Sequence, residues 1–170
     1  DHDVVLTVSD EDGETDGQSF TITVSNTNDA PVFSSTAITA ATEDAAYTYT
    51  VTASDEDGDA LTFAATTLPS WLSFNTSTKV LSGTPDNDDV GNHDIVLTVT
   101  DGIISTAIEQ SFTITVSNTN DAPVFTNTGT TTATEDVAYS YTVTASDVDI
   151  GDDLTFIANT LPSWLSFNTS

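Results

Sequence analysis

The octapeptide NTNDAPVF occupies residues 26–33 and returns unchanged at residues 118–125, 92 residues later. TEDAAYTYTVTASD at 42–55 returns at the same offset as TEDVAYSYTVTASD at 134–147. LPSWLSFNTS at 68–77 returns at 161–170, one residue further on because Ile150 is inserted. Over residues 26–77, 41 of 52 positions are identical in the later copy. The front of the chain carries the tail of another copy: HDVVLTVSD at 2–10 matches HDIVLTVTD at 93–101, and SFTITVSNTNDAPVF follows in both. Self-similarity at a fixed period is the mark of an array. It divides the chain into the end of one repeat (1–25), a complete repeat (26–117) and the beginning of a third (118–170). A lone hairpin is marginal in water, so neither flanking piece is expected to bury a full core by itself. The start at Asp1, with no Met and no signal peptide, reads as a fragment of something longer. Completion of the open ends by neighbouring copies is the other expectation.

Each repeat reads as strands. In residues 47–53, Tyr47, Tyr49, Val51 and Ala53 alternate with threonines at period two. Phe112, Ile114 and Val116 alternate with Thr113 and Thr115, and Ile95, Leu97 and Val99 form another inward set. Shorter strands are marked by Leu61 with Phe63, Trp71 with Phe74, and Val80 with Leu81. Turn chemistry separates them at Asp57-Gly58, Leu68-Pro69-Ser70, Gly83-Thr84-Pro85 and Asp101-Gly102. Thr and Val suit the pleated surface, and no stretch holds a 3.6-residue apolar period. Roughly seven strands per 92 residues predict an all-β chain of tandem Greek-key β-sandwich repeats. Pro31 and Pro123, at the hand-over between repeats, limit bending there.

Charge narrows the functions open to such an array. Acidic residues outnumber Lys and Arg 27 to 1, for a formal net charge of −26. That balance repels nucleic acid and disfavours an anionic membrane surface. High charge with few aromatics can signal disorder, but 37% hydrophobic residues in strand-like alternation oppose it here. There is no Cys, hence no disulfide, and no apolar run near the length that spans a bilayer.

The acidic residues gather in turns and at the repeat boundary. Asp55, Asp57 and Asp59 follow the first long strand, Asp86 to Asp89 precede the strand starting near His93, and Asp101 ends it. Asn26, Asn28 and Asp29 form the linker, and Glu43-Asp44 lies upstream of the first long strand. Ca²⁺ takes six to eight oxygen ligands at flexible angles, and these residues supply hard oxygen where nothing supplies soft sulfur. Without cations such clusters repel themselves at close range. The D-x-D-G-D run begins like an EF-hand loop, but Thr66 stands at its twelfth position and no helices flank it. The competing reading is solvated acidic turns of a halophilic or marine protein.

The linker NxNDAPVF resembles the cadherin inter-repeat linker. Cadherin-like repeats also carry a Glu near the start, a DxD after the second strand, an acidic loop before the sixth strand and an Asp at that strand's end, and all occur here in that order. The whole chain resembles the bacterial, dystroglycan-type cadherin-like repeats of large surface adhesins. The resemblance implies cadherin/Ig-like sandwiches with calcium at each junction. At the first junction it implies Asn26, Asn28 and Asp29 with Asp55, Asp57 and Asp101. At the second it implies Glu43 and Asp86 or Asp88, then Asn118, Asn120 and Asp121 from the linker, and Asp147 and Asp149 from the next repeat. Asp59 and Asp152 are further ligands in that scheme, and Glu135 is the counterpart of Glu43 in the third repeat. Two departures stand out: Pro85-Asp86-Asn87-Asp88 replaces the Asp-Arg-Glu motif, and Ala30 and Ala122 stand where the family's linker has a second Asn.

No enzyme is expected. A general acid or base is tuned within a pocket, whereas every acidic cluster here repeats with the structural period, as a joint must. Trp71 and Trp164 could stack on sugars, but their Leu and Phe neighbours place them in or near a core. His93 reads as structural, and the sequon at Asn75 carries little weight. The chain is therefore expected to be a calcium-stiffened structural or adhesive stretch of an extracellular adhesin or surface filament, partnered by neighbouring or like repeats. The alternative is a module binding carbohydrate or a cell-surface protein.

Overall fold

The computed structural model describes residues 1–169. A free-standing hairpin of β1 (His2–Ser9) and β2 (Thr15–Ile22) opens the chain. Nine strands follow: β3 (Val32–Phe33), β4 (Ala40–Thr42), β5 (Tyr47–Thr50), β6 (Ala53–Ser54), β7 (Thr62–Thr67), β8 (Leu72–Asn75), β9 (Val80–Gly83), β10 (Gly91–Thr100) and β11 (Ile108–Ser117). The short pair β12 (Val124–Phe125) and β13 (Ala145–Ser146) lies in the last part. The one helical piece among the described residues is a 3₁₀ turn at Asn87–Asp89.

The nine central strands make a sandwich. One layer runs β4-β11-β10-β7, with β4 parallel to β11 and the other pairs antiparallel. The facing layer is β5-β9-β8, extended by the β3-β6 pair. The period-two reading explains what meets between them. Tyr47 and Tyr49 are buried while Thr48 and Thr50 are exposed, and Ile114 and Val116 are buried against exposed Thr113 and Thr115. Ile95, Leu97, Val99, Val51 and Leu81 are fully buried at the centre. Each such aliphatic side chain contributes about 1.5–3 kcal/mol by leaving water.

The long strand expected over 47–53 is interrupted. It pairs with β9 as far as Thr50 and with β3 from Ala53. At the changeover Val51 donates its N–H to the Lys79 carbonyl (2.9 Å), and the Ser35 hydroxyl accepts from the Thr52 N–H (2.9 Å). This switch lets one strand serve both ends of its layer and delivers residues 55–59 to the edge of the sandwich.

Residues 118–169 repeat the sequence of the central sandwich but not its burial. Phe125 is 73% exposed, Ile157 76% and Trp164 63%. Trp71 meets its expected half-buried place, edge-on to Tyr47 and His93. Trp164 does not: it keeps the edge-on tyrosine, Tyr139 at 6.0 Å, but no hairpin equivalent to β10–β11 covers it among the described residues.

Candidate metal centres at the repeat junctions

The first centre forms where β6 ends. Asp55 Oδ1 accepts the N–H groups of Asp57 (3.0 Å) and Asp59 (3.4 Å), folding the loop around its own carboxylate. Gly58, at φ 80°, makes the turn that a side chain would strain. The carboxylates of Asp55, Asp57 and Asp59 each place an oxygen within 4.8 Å of the others. The linker is tied to this loop. The Asn26 amide donates to Asp57 Oδ1 (2.7 Å) and the Asp29 N–H to Asp57 Oδ2 (2.6 Å). The Asn28 amide donates to Asp101 Oδ2 (2.9 Å). Asp101 Oδ1 in turn accepts from the N–H groups of Ile103 and Ile104. The Asn28 amide also donates to the Asp29 carbonyl (2.9 Å), so all six residues expected at this junction are joined in one network.

Electrostatics separates two members of that network. Hydrogen bonds from the Asn28 amide and the Ile104 N–H hold the Asp101 carboxyl below the usual carboxylate range. Partial desolvation and then the nearby charges of Asp55, Asp57 and Asp101 push Asp59 above it. Like charges a few ångströms apart repel even in water. The only Lys of the chain does not relieve this, since its Nζ lies 4.8 Å above the Phe63 ring.

The second centre is built on β4's end and the next linker. Asp44 takes a left-handed conformation (φ 57°), which Asp tolerates better than most residues, and its N–H reaches the Pro85 carbonyl (2.9 Å). The turn leaves Glu43 only 2% exposed. Glu43 Oε2 accepts the Thr119 N–H (3.2 Å). Oxygens of Glu43, Asp44 and Asp121 lie within 4.8 Å of one another. The linker bonds of the first centre recur 92 residues on: the Asn118 amide donates to Asp149 Oδ1 (2.9 Å) and the Asp121 N–H to Asp149 Oδ2 (2.6 Å). Asp147, Asp149 and Asp152 form the third carboxylate group, with Asp149 buried. The Asn120 amide bonds the Asp121 carbonyl.

Three expected ligands stand apart. Asp86 accepts the Asp88 N–H while its own N–H bonds Asp89 Oδ2, a capping box on the 3₁₀ turn. Neither Asp86 nor Asp88 joins a carboxylate group with Glu43. Instead Asn87, between them, donates to Asp121 Oδ2 (3.0 Å). The D-x-x-D spacing of a capping box was the available signal that residues 86 and 89 satisfy each other and leave Asn87 free to reach across. Glu135 is exposed and joins no group. Asp44, outside the expected ligand set, joins the group with Glu43 and Asp121, and its Asp136 counterpart repeats both residue and conformation (φ 62°).

The fit to a cation is tested by two atoms. Glu43 Oε1 and Asp55 Oδ2 are buried and have no hydrogen-bond partner. A buried carboxylate oxygen without a partner costs several kcal/mol, and each of these belongs to one of the carboxylate trios. An oxygen-seeking cation fits both places.

The sequence pattern of one family matches residues 30–117 and again 122–170, and its description is Putative Ig domain (He_PIG). The chain belongs to the He_PIG family. No curated relative matches it in sequence. Among solved structures, protocadherin gammaB7 EC3-6, in a cis-dimer, is similar with TM-score 0.52 and 18% identity, over 88% of this chain and 44% of that one. Human protocadherin-24 EC1-2 is similar with TM-score 0.48 and 26% identity, over 74% of this chain and 62% of that one. An endo-fucoidan hydrolase of glycoside hydrolase family 107 is similar with TM-score 0.46 and 28% identity, over 73% and 21%. The chain thus spans about a fifth of the hydrolase and under two thirds of either protocadherin. As a He_PIG chain it has the all-β sandwich read from its periodicity, with the Ig- and cadherin-like fold that the resemblance implied.

Proposed function

We propose that this He_PIG chain is a calcium-stiffened stretch of extracellular repeats, serving as a structural or adhesive spacer in a bacterial surface adhesin or filament. In this reading residues 1–25 end one repeat, 26–117 form a complete one and 118–170 begin the next. The observation that carries it is the pair of buried, unpartnered carboxylate oxygens, Glu43 Oε1 and Asp55 Oδ2, each within an acidic group at a repeat boundary. At the second boundary Glu43, Asp44, Asp121, Asp147, Asp149 and Asp152 would hold the ions, with Asn118 and Asn87 fixing their carboxylates. At the first, Asp55, Asp57, Asp59 and Asp101 would do so. Bound calcium neutralises charge that otherwise repels, so the 118–121 linker, which already bonds the residues on both sides of it, becomes rigid. A period-locked joint of this kind favours a mechanical role over catalysis.

Extracellular calcium sites bind with dissociation constants of roughly 10⁻⁴–10⁻³ M. A hundredfold excess of one ion adds about 2.7 kcal/mol, equivalent to about 10 °C or more in a domain of this size. Thermal melts of the chain in calcium and in chelator test the reading. The expected result is a rise of that order, lost in the double variant Asp121→Asn, Asp149→Asn. Superimposable melts would leave the acidic groups as solvated surface.

A further inference from the structure

Both carboxylates that meet Glu43 at the second centre are aimed by one short segment, residues 85–89. The Pro85 carbonyl accepts the Asp44 N–H (2.9 Å), which fixes the left-handed turn behind Glu43. Two residues on, the Asn87 amide donates to Asp121 Oδ2 (3.0 Å). The capping box of Asp86 with Asp89 closes the 3₁₀ turn on itself. What ties that turn to the body of the sandwich is a histidine.

His93 lies on the inward face of β10, half-buried between exposed Asn92 and Asp94 and two residues before the buried Ile95. Its Nε2 is 2.6 Å from the Asp89 carbonyl oxygen. A carbonyl only accepts, so Nε2 carries the hydrogen. Behind it the His93 ring meets Trp71 edge-on at 5.9 Å, and Trp71 meets Tyr47 edge-on at 5.8 Å. Trp71 is held in turn by a close backbone approach, since a Cβ on Gly83 would collide with its carbonyl. The imidazole thus joins a packed wall of the sandwich to the last residue of the turn.

We propose, on the calcium reading above, that His93 is a positioning residue of the second joint. By holding Asp89 it holds the 85–89 segment, and through Pro85 and Asn87 it sets Asp44 and Asp121 beside Glu43. It does not touch the ion. A segment ordered in advance leaves less ordering to be done on binding, and affinity rises accordingly. β10 starts at the second centre and ends at Thr100, next to Asp101 of the first, so the effect is confined to one joint.

Calorimetric titration of the full chain with calcium tests the proposal, in an Asp55→Asn, Asp57→Asn parent that disables the first centre. His93→Phe keeps a ring against Trp71 and removes the donor. His93→Gln returns an amide N–H at similar reach. The expected calcium affinity is about five- to tenfold weaker in His93→Phe, short of the roughly ten- to hundredfold typical of groups bonded directly to a metal ligand, and largely restored in His93→Gln. Asn87→Ala should also weaken binding. Combined with His93→Phe it should cost less than the two separate losses multiplied, because both act on one segment. Melts in chelator read the fold separately: a merely structural histidine would lower them and leave the affinity of the folded chain unchanged. His93→Asn, whose amide falls short of Asp89, gives the same comparison should the phenyl ring prevent folding. Equal affinity in the donor-less variant and the parent, a His93→Gln chain no better than His93→Phe, or fully multiplicative losses would each overturn the proposal. A parent that takes up no calcium would overturn it together with the calcium reading, so the parent alone tells the two failures apart.

Discussion

Glu43 concentrates the conflict between fold and charge in one side chain. It is 2% exposed, and Oε2 is bonded while Oε1 is not. Without an ion a buried, half-satisfied carboxylate opposes folding. Glu43→Gln removes the charge at nearly constant shape. We expect it to raise the melting temperature by a few degrees in chelator and to lower it relative to the parent in calcium. A shift of the same sign in both conditions would mean that Glu43 holds no ion. Tyr47 makes a prediction at the other end of the pH scale. Its hydroxyl donates to the Ile38 carbonyl (2.7 Å), and burial, aided by Tyr49, raises its pKa to about 12. The unfolded tyrosine ionises near pH 10, so this group's stabilising contribution is intact below that pH and is lost as pH rises towards about 12. Spectroscopic titration should show one tyrosine ionising well above the others, and Tyr47→Phe should flatten the alkaline fall in stability.

The elements owe their closeness to small residues at particular places. Gly83 ends β9 opposite both Leu72 and Tyr47. A Cβ there would collide with the backbone carbonyl of Trp71, and backbone cannot swing aside as a side chain can. Gly83→Ala should therefore cost about 1–3 kcal/mol, read as a lower denaturant midpoint with unchanged slope. The exposed Gly58, whose added Cβ would meet nothing, provides the contrast: Gly58→Ala suffers only from its positive φ. The 3₁₀ turn shows element-level logic of another kind. Its capping box uses Asp86 and Asp89 internally, and only then does Asn87 project to Asp121.

At the scale of the whole molecule the governing quantity is a net charge of −26 carried largely by turns and linkers. In chelator, added sodium chloride should stabilise the chain, because the Debye length falls from about 10 Å at 0.1 M to 3 Å at 1 M. In saturating calcium the same salt should change little. A protease specific for acidic residues should cut the 118–121 linker readily in chelator and slowly in calcium. Much of this was legible in the sequence. The 92-residue period, the inward alternation of Tyr49, Val51, Leu97 and Ile114, and the gathering of acids at the boundary all follow from local pattern, because strand period and turn chemistry are local properties. Which carboxylates meet was not local. Asp44 as a third carboxylate beside Glu43 and Asp121, and Asn87 rather than Asp86 or Asp88 at the joint, depend on how a left-handed Asp and a capped turn aim side chains across a gap. Trp164, identical in sequence context to half-buried Trp71, is exposed where no counterpart of β10–β11 covers it among the described residues. Pattern specifies which face of a strand is apolar, but only the strands packed against that face determine whether it is buried.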